Sequence, residues 1–469
     1  MEQLELLEIQ GFLVKEYKEV PVSKYFLLQI IDAPLVKKYL KGITENITTV
    51  NAEIAESCMN IGFTSAGLKA LGLMENNIRT FIREFREGIV TPHRQRLLGD
   101  YDSSDPEKWN WGGPNNEEVH LIIMIFEKSE SVINIRVNEL RDKFNLSGLK
   151  EVFLLDGYAL PNDKEHFGFR DGIAQPAIIG SGVTGINNDN IKPGEFILGY
   201  KNEYNVYPDT PLIKENQGDM NLLPDDASGS AFKDLGKNGT YFVLRQLKED
   251  VDGFWNFLND KTKNEDGSLN ADESTMLAAK MMGRWPGGAP LVKFPDKDPG
   301  GLSSDNDFNY IDTDKTGLKC PFGAHSRRAN PRDQFEETGP SESLKLTRRH
   351  RIMRRVRLYG EPFTGSAINH SPKDEVGILF GCFNADISRQ FEFIQYTWAN
   401  YPKFKQLYAD PDPFIGVREN PEPGTEQNFT IPQQTASKYI TGLKSFVTVK
   451  GGAYFFFPSV TTVKYLTTV

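Results

Sequence analysis

Lys24-Tyr25-Phe26-Leu27-Leu28-Gln29-Ile30, followed at once by the helical spacing of Ala33 to Leu40, is the stretch on which the fold turns. The apolar run reads as a buried strand and the segment after it as an amphipathic helix. The same pair returns in the second half, where Thr240-Tyr241-Phe242-Val243-Leu244-Arg245-Gln246-Leu247 leads into Val251 to Leu258. A second strand–helix pair follows in each half: Val119 to Phe126 before Val132 to Phe144, and Val376 to Phe383 before Ile387 to Ala399. Each half then ends on another apolar strand, Glu151 to Leu155 and Ser445 to Phe457. A pattern repeated in this way predicts an α+β fold: tandem ferredoxin-like units with antiparallel sheets, packed sheet to sheet, and peripheral helices. The expected division is residues 1–205 for the N-terminal unit, 206–239 for a linker with surface loops, and 240–469 for the C-terminal unit. A long irregular segment, Trp285 to Thr347, interrupts the second unit, and structureless segments of that length in compact domains are usually functional.

Bulk composition narrows the class. A chain of 469 residues is too long for one hydrophobic core. With 39% hydrophobic and 25% charged residues it has the make-up of an ordinary soluble globular protein. The net charge of -10 argues against nucleic acid as a partner. No run approaches the roughly 20 apolar residues that span a bilayer, so no membrane association is expected. The acidic N-terminus, Met1-Glu2-Gln3-Leu4-Glu5, does not resemble a signal peptide. Three scattered cysteines (Cys58, Cys320, Cys382) form no disulfide framework, and a reduced, cytoplasmic protein is the expectation.

Three segments carry chemistry. Gly168-Phe169-Arg170-Asp171-Gly172, then Ile173-Ala174-Gln175-Pro176, sets an acid between two glycines shortly after the strand ending at Leu155. Glycine lets the backbone turn sharply or approach a flat ligand. By itself this reads as a turn. Far downstream come Cys320-Pro321-Phe322-Gly323-Ala324-His325-Ser326-Arg327-Arg328-Ala329-Asn330-Pro331-Arg332-Asp333 and Arg349-His350-Arg351-Ile352-Met353-Arg354-Arg355. The last is interleaved with Ile352, Met353, Val356 and Leu358, as a part-buried strand would be, rather than a nucleic-acid patch. Near His325 there is no CxxCH for covalent haem attachment and no second Cys or His at zinc-ligand spacing.

Taken together and in this order, the GxxDG turn, the His–NPR stretch and the IMR stretch resemble the dye-decolourising-type haem peroxidases, nearly end to end. The resemblance implies a tandem fold of the dimeric α+β barrel type, with one haem b per chain bound mainly by the C-terminal half. It implies a peroxidase that takes hydrogen peroxide and oxidises phenolic, dye-like or other small organic reductants by one-electron steps through an oxoferryl intermediate. The alternative is a haem-binding protein for storage, sensing or iron release. By residue, the resemblance implies His325 as the axial iron ligand, with Cys320 the thiolate alternative. Asp171 becomes the group that moves a proton between the peroxide oxygens, and Arg354 the charge that stabilises the breaking bond. Gly172 shapes the turn, Arg332 pairs with a haem propionate, and Ile378 and Phe380 lie on one strand face above the haem. Asp410-Pro411-Asp412-Pro413-Phe414-Ile415-Gly416 resembles the family's DPIIG-like segment, which makes Asp412 the candidate carboxylate behind His325. Val356 departs from relatives with a polar residue there. Some relatives enter protein shells through a C-terminal peptide, and no such tail is expected after Thr467-Thr468-Val469. The sequence leaves monomer and homodimer both open.

Overall fold

In a computed structural model, residues 3–53, 56–186, 189–335, 339–361, 363, 371–417 and 427–469 are described. Eight long strands close into one antiparallel barrel. In chain order they are β1 (Val22–Ile30), β2 (Ser57–Phe63), β3 (Leu121–Glu127), β4 (Leu149–Tyr158), β5 (Thr240–Glu249), β6 (Met353–Tyr359), β7 (Gly377–Asn384) and β8 (Val447–Phe457). The first four are ordered β4-β1-β3-β2 and the last four β8-β5-β7-β6, the same ferredoxin-like order in each half. The halves also meet edge to edge, where Tyr158 of β4 pairs with Leu358 of β6 and Phe63 of β2 with Phe456 of β8. Closure leaves none of the eight with an open edge, which removes the usual liability of exposed strands.

The repeat extends to how each helix begins. Asp32 caps α1 (Ala33–Ile43) by accepting from Leu35 N at 3.1 Å. Asp250 caps α3 (Val251–Lys261) by accepting from Gly253 N at 3.0 Å. Such caps satisfy amides that the helix leaves unpaired. Between them in sequence, α2 (Glu130–Leu146) covers the outside of the first sheet with Ile133, Val137, Leu140 and Phe144.

Alternation along the strands sends side chains in and out of the barrel. The inward set includes Tyr25, Leu27, Met124, Phe126, Phe242, Leu244, Phe383, Phe455 and Phe457, packed around Phe12 and Tyr17 of the N-terminal segment. That segment plugs the barrel. Arg355 donates to Phe12 O and Leu13 O, both at 2.7 Å, and Arg357 to Glu16 O at 2.9 Å. With a filled interior and covered outer faces, β3 is buried at every position, so its sequence is a continuous apolar run rather than an alternation.

Two features differ from the sequence pattern. β2 carries Asn60 at a fully buried position; it accepts from the Tyr17 hydroxyl at 2.9 Å and donates to Gln10 and to Thr48 O. A polar residue and Gly62 in a short strand leave little periodicity to read. The segment expected to be a linker is strapped to the body. Leu212–Ile213 pairs with Lys233–Asp234, Asn77 Oδ1 accepts from Lys214 N and Glu215 N at 2.9 Å, and Tyr465 Oη donates to Gln217 O at 2.7 Å. Among the described residues no helix is long and apolar enough to cross a membrane.

Candidate active site

Outside the second sheet lies a cavity of about 320 Å³, within the usual range for small-ligand sites. Its floor is the outer face of four strands, fixed by period two: Arg245, Leu247 and Glu249 of β5, Arg354 and Val356 of β6, Ile378 and Phe380 of β7, Val447 and Val449 of β8. Register sets Val356 beside Phe380 and Phe380 beside Arg245. The same alternation turns Arg355 inward to the plug, so neighbouring arginines of one strand serve the site and the core.

The wall opposite comes from the irregular segment after Trp285 and carries His325, first residue of α4 (His325–Ala329). Its Nδ1 donates to Asp412 Oδ2 at 2.9 Å. Asp412 is 1% exposed, and its other oxygen accepts from Phe414 N at 2.9 Å and Ile415 N at 3.0 Å. Burial works against a charge on Asp412, but the His325 charge and hydrogen bond outweigh it and hold the carboxyl below its ordinary range. Burial likewise pushes the His325 pKa down, and Asp412 more than reverses it. An imidazole tied at Nδ1 presents Nε2 to the cavity, the arrangement that orients a metal-ligating histidine.

The Gly168–Gly172 turn brings Asp171 to the same cavity. Gly168 has φ +93° and Gly172 φ +81°, conformations that side chains other than hydrogen rarely adopt. Asp171 Oδ1 forms an ion pair with Arg354 Nη1 at 2.7 Å and accepts from Gly172 N at 2.6 Å. Gln175 locks this turn to β6: its Nε2 donates to Arg354 O at 3.0 Å and its Oε1 accepts from Arg354 N at 3.2 Å.

The structure therefore gathers His325, Asp171, Arg354, Ile378 and Phe380 around one space, with Asp412 directly behind His325. Two expected residues lie elsewhere. Arg332 does not line the cavity; its guanidinium donates to Asn306 O at 3.0 Å and Phe308 O at 2.8 Å and lies 4.0 Å from the Phe308 ring centroid. Asn306 and Phe308 hold the Arg332 guanidinium there, outside the cavity lining. Arg170, Arg284 and Arg351 do reach the wall, where Arg170 pairs with Asp163 and Arg351 with Asp189, each at 2.9 Å. Gly172 is exposed and shapes the turn without touching the cavity. The alternative ligand Cys320 is also absent from the lining; burial pushes its thiol up to about 11. His350 is turned away, stacked on Phe393 at 3.9 Å.

Residues missed in the sequence are Gln175, Glu165, Glu249, Arg284, Arg351 and the buried Arg245–Asp100 ion pair. Period two along Thr240–Glu249 was the available signal for Arg245 and Glu249. The others lie on loops with no periodicity.

Comparison with known proteins agrees with this geometry. Residues 8–161 match the DyP dimeric alpha+beta barrel domain family. A dye-decolorizing peroxidase of Mycetinis scorodonius is 30% identical over 98% of this chain and 87% of its own length. Among solved structures, a decolorizing peroxidase from Auricularia auricula-judae superposes with a TM-score of 0.77 at 26% identity, over 99% of this chain and 100% of that one. A dye-decolorizing peroxidase in complex with 2,6-dimethoxyphenol gives 0.77 at 25% identity, over 99% and 100%. A closed barrel of two ferredoxin-like halves, a histidine–carboxylate pair and an acid–arginine pair on one cavity, and similarity along nearly the whole chain lead to one conclusion: this chain belongs to the dye-decolourising peroxidase family, the haem peroxidases.

Proposed function

We propose that the cavity holds one haem b, whose iron His325 would ligate, and that the site reduces hydrogen peroxide at the expense of phenolic or dye-like donors. The observation that carries this reading is the placement of His325, backed by Asp412, in the same cavity as the Asp171–Arg354 pair. The residues suit the group. Ile378, Phe380, Ile394 and Phe414 supply apolar lining for a porphyrin, while Arg284, held by the Gly288 and Asp305 carbonyls with no carboxylate of the described residues on it, supplies positive charge at the wall. Non-covalent haem b fits a chain without CxxCH whose Cys320 stays out of the cavity.

When bound, haem iron supplies the electrons that cleave the peroxide O–O bond. The protein's part is proton traffic, charge and access. Asp171 Oδ2 has no hydrogen bond among the described residues, so it is available to take a proton from the inner peroxide oxygen and return it to the outer one, which leaves as water. Arg354, held 2.7 Å from Asp171, stabilises the negative charge that develops as the bond breaks. Hydrogen bonding to Asp412 keeps the His325 Nε2 lone pair directed at the iron position. Ile378 and Phe380 exclude bulk water and large donors from the floor.

Simple haem storage needs neither an acid nor an arginine beside the ligand space, and the Asp171–Arg354 pair favours turnover. A solved relative bound to 2,6-dimethoxyphenol supports phenols as donors. A reducing cytoplasm is our assignment of compartment, supported by three free, buried cysteines. The test is haem reconstitution of the wild type and His325→Ala, followed by Soret absorbance and peroxide-dependent oxidation of 2,6-dimethoxyphenol. Wild type is expected to bind haem and turn over; the variant is expected to lose stable binding. A fully loaded His325→Ala with an unchanged spectrum would overturn the assignment.

A further inference from the structure

Four carboxyls besides Asp171 line the cavity, and the reaction outlined above uses none of them; Asp100 is tied to Arg245 and Asp102 is exposed, which leaves Glu165 and Glu249. Glu165 precedes the GxxDG turn and is clamped into it: Oε1 accepts from Phe169 N at 2.7 Å and Oε2 from Phe167 N at 2.8 Å. Its own amide donates to Phe169 O at 3.0 Å, and its carbonyl accepts from Gly168 N at 2.9 Å. One side chain and its backbone thus hold four points of the loop that ends in Asp171. Glu249, last residue of β5, is 6% exposed; the His166 amide bonds its carboxyl, and its Oε2 is buried without a hydrogen-bond partner among the described residues. A buried, unpartnered carboxylate oxygen is costly, and a proton removes the cost.

We propose that Glu165 and Glu249 are positioning residues, and that a proton retained on this buried pair keeps the Gly168–Gly172 turn, with Asp171 on it, in register with Arg354. Loss of that proton sets the alkaline limit of the reaction with peroxide. The inference rests on the function proposed above.

The electrostatics support it. Burial, then two opposing backbone amides, then the Asp171 charge act on Glu165 and leave it at about 8. Burial, followed by the charges of Glu165 and Asp171, pushes Glu249 well above the carboxylate range. The ionisable groups facing the pair are Asp171 and His325 from the cavity, and Tyr158 of β4 and Tyr359 of β6, both of which feel Glu249. Both carboxyls are therefore held protonated into a higher pH range than an ordinary carboxylate. Above that, a second negative charge appears beside Asp171 in a buried wall. It competes for Arg354 and repels the acid the loop presents.

The measurements are difference infrared spectroscopy of the purified full chain and stopped-flow mixing of the haem-loaded enzyme with peroxide across pH. Wild type minus Glu249→Gln is expected to show the C=O stretch of a protonated carboxylic acid at neutral pH, fading as pH rises. In Glu249→Gln the alkaline fall in the peroxide reaction is expected to move up by at least about one pH unit, a tenfold faster rate than wild type on that limb. Glu165→Gln, whose amide nitrogen faces a backbone donor, is expected to slow the reaction about tenfold at neutral pH with little change in KM for the organic donor. A difference spectrum without the acid band, or an alkaline limb unmoved in Glu249→Gln, overturns the proposal. Should Glu165→Gln fail to fold, the Glu249→Gln comparison still decides. A wild type that binds no haem or ignores peroxide would defeat the functional reading instead, and the infrared result would still report on the pair.

Discussion

Replacing Asp412 with asparagine tests the proximal side of the site most directly. Asp412 uses both oxygens: Oδ1 accepts from Phe414 N and Ile415 N at 2.9 and 3.0 Å, and Oδ2 accepts from His325 Nδ1 at 2.9 Å. Asparagine has nearly the same shape but a single oxygen, and the two backbone donors claim it. The amide nitrogen then faces His325 Nδ1, which must become an acceptor. The ring proton moves to Nε2, so the nitrogen turned to the cavity no longer has a lone pair for iron. Rotating the ring is opposed by its edge-on packing against Phe414, with centroids 5.8 Å apart. Loss of such an orienting partner typically weakens metal binding by about 10–100-fold, or roughly 1.4–2.7 kcal/mol. Titrating the haem-free protein with haem and following the Soret band gives the dissociation constant. Asp412→Asn is expected to bind about 10–100-fold more weakly than wild type, with an altered spectrum. Equal affinity and an identical spectrum would refute the idea that Asp412 sets the His325 tautomer.

Arg354→Leu is expected to keep its haem content but react with peroxide at least ~100-fold more slowly in stopped-flow mixing, because a preorganised positive charge is gone; an unchanged rate would leave Arg354 a structural role only. Asp171→Asn preserves the turn, since Gly168 and Gly172 set it, yet cannot accept and return a proton. Normal haem occupancy with a rate lowered by ~100-fold or more is expected, and a wild-type rate would pass the proton step to Arg354 or water. Away from the site, the hydrogen bonds from Arg94 and then Arg83 hold Glu87 down at about 2. A lowered carboxyl pKa stabilises the fold above the unfolded value of roughly 4.3 and loses that contribution as pH falls toward the folded one. Glu87→Gln should therefore lower the melting temperature at pH 6 and converge on wild type near pH 2; a gap independent of pH would contradict the ion pairing.

Much of this protein is written locally. The strand–helix repeats survive in the sequence because the barrel strands are largely buried, so β1, β3, β5 and β7 each carry an apolar run shortly before a helix start, two of them with capping aspartates. The Gly168–Gly172 turn is equally local, since positive φ at both glycines demands the residue itself. His325, Asp171 and Arg354 were legible through their surrounding motifs, and Ile378 and Phe380 through period two. Other features depend on distance. Asn60 looks unsuited to a strand until Tyr17, Gln10 and Thr48 close around it. Arg332 and Arg351 are indistinguishable as sequence, and only folding decides that Asn306 and Phe308 occupy the first while the second reaches the cavity wall. Glu165 and Glu249, 84 positions apart, become a pair only when β5 lies beside the acid loop. Periodicity and backbone conformation are properties of neighbours along the chain, whereas burial and charge coupling belong to neighbours in space, and those exist only once the barrel has closed.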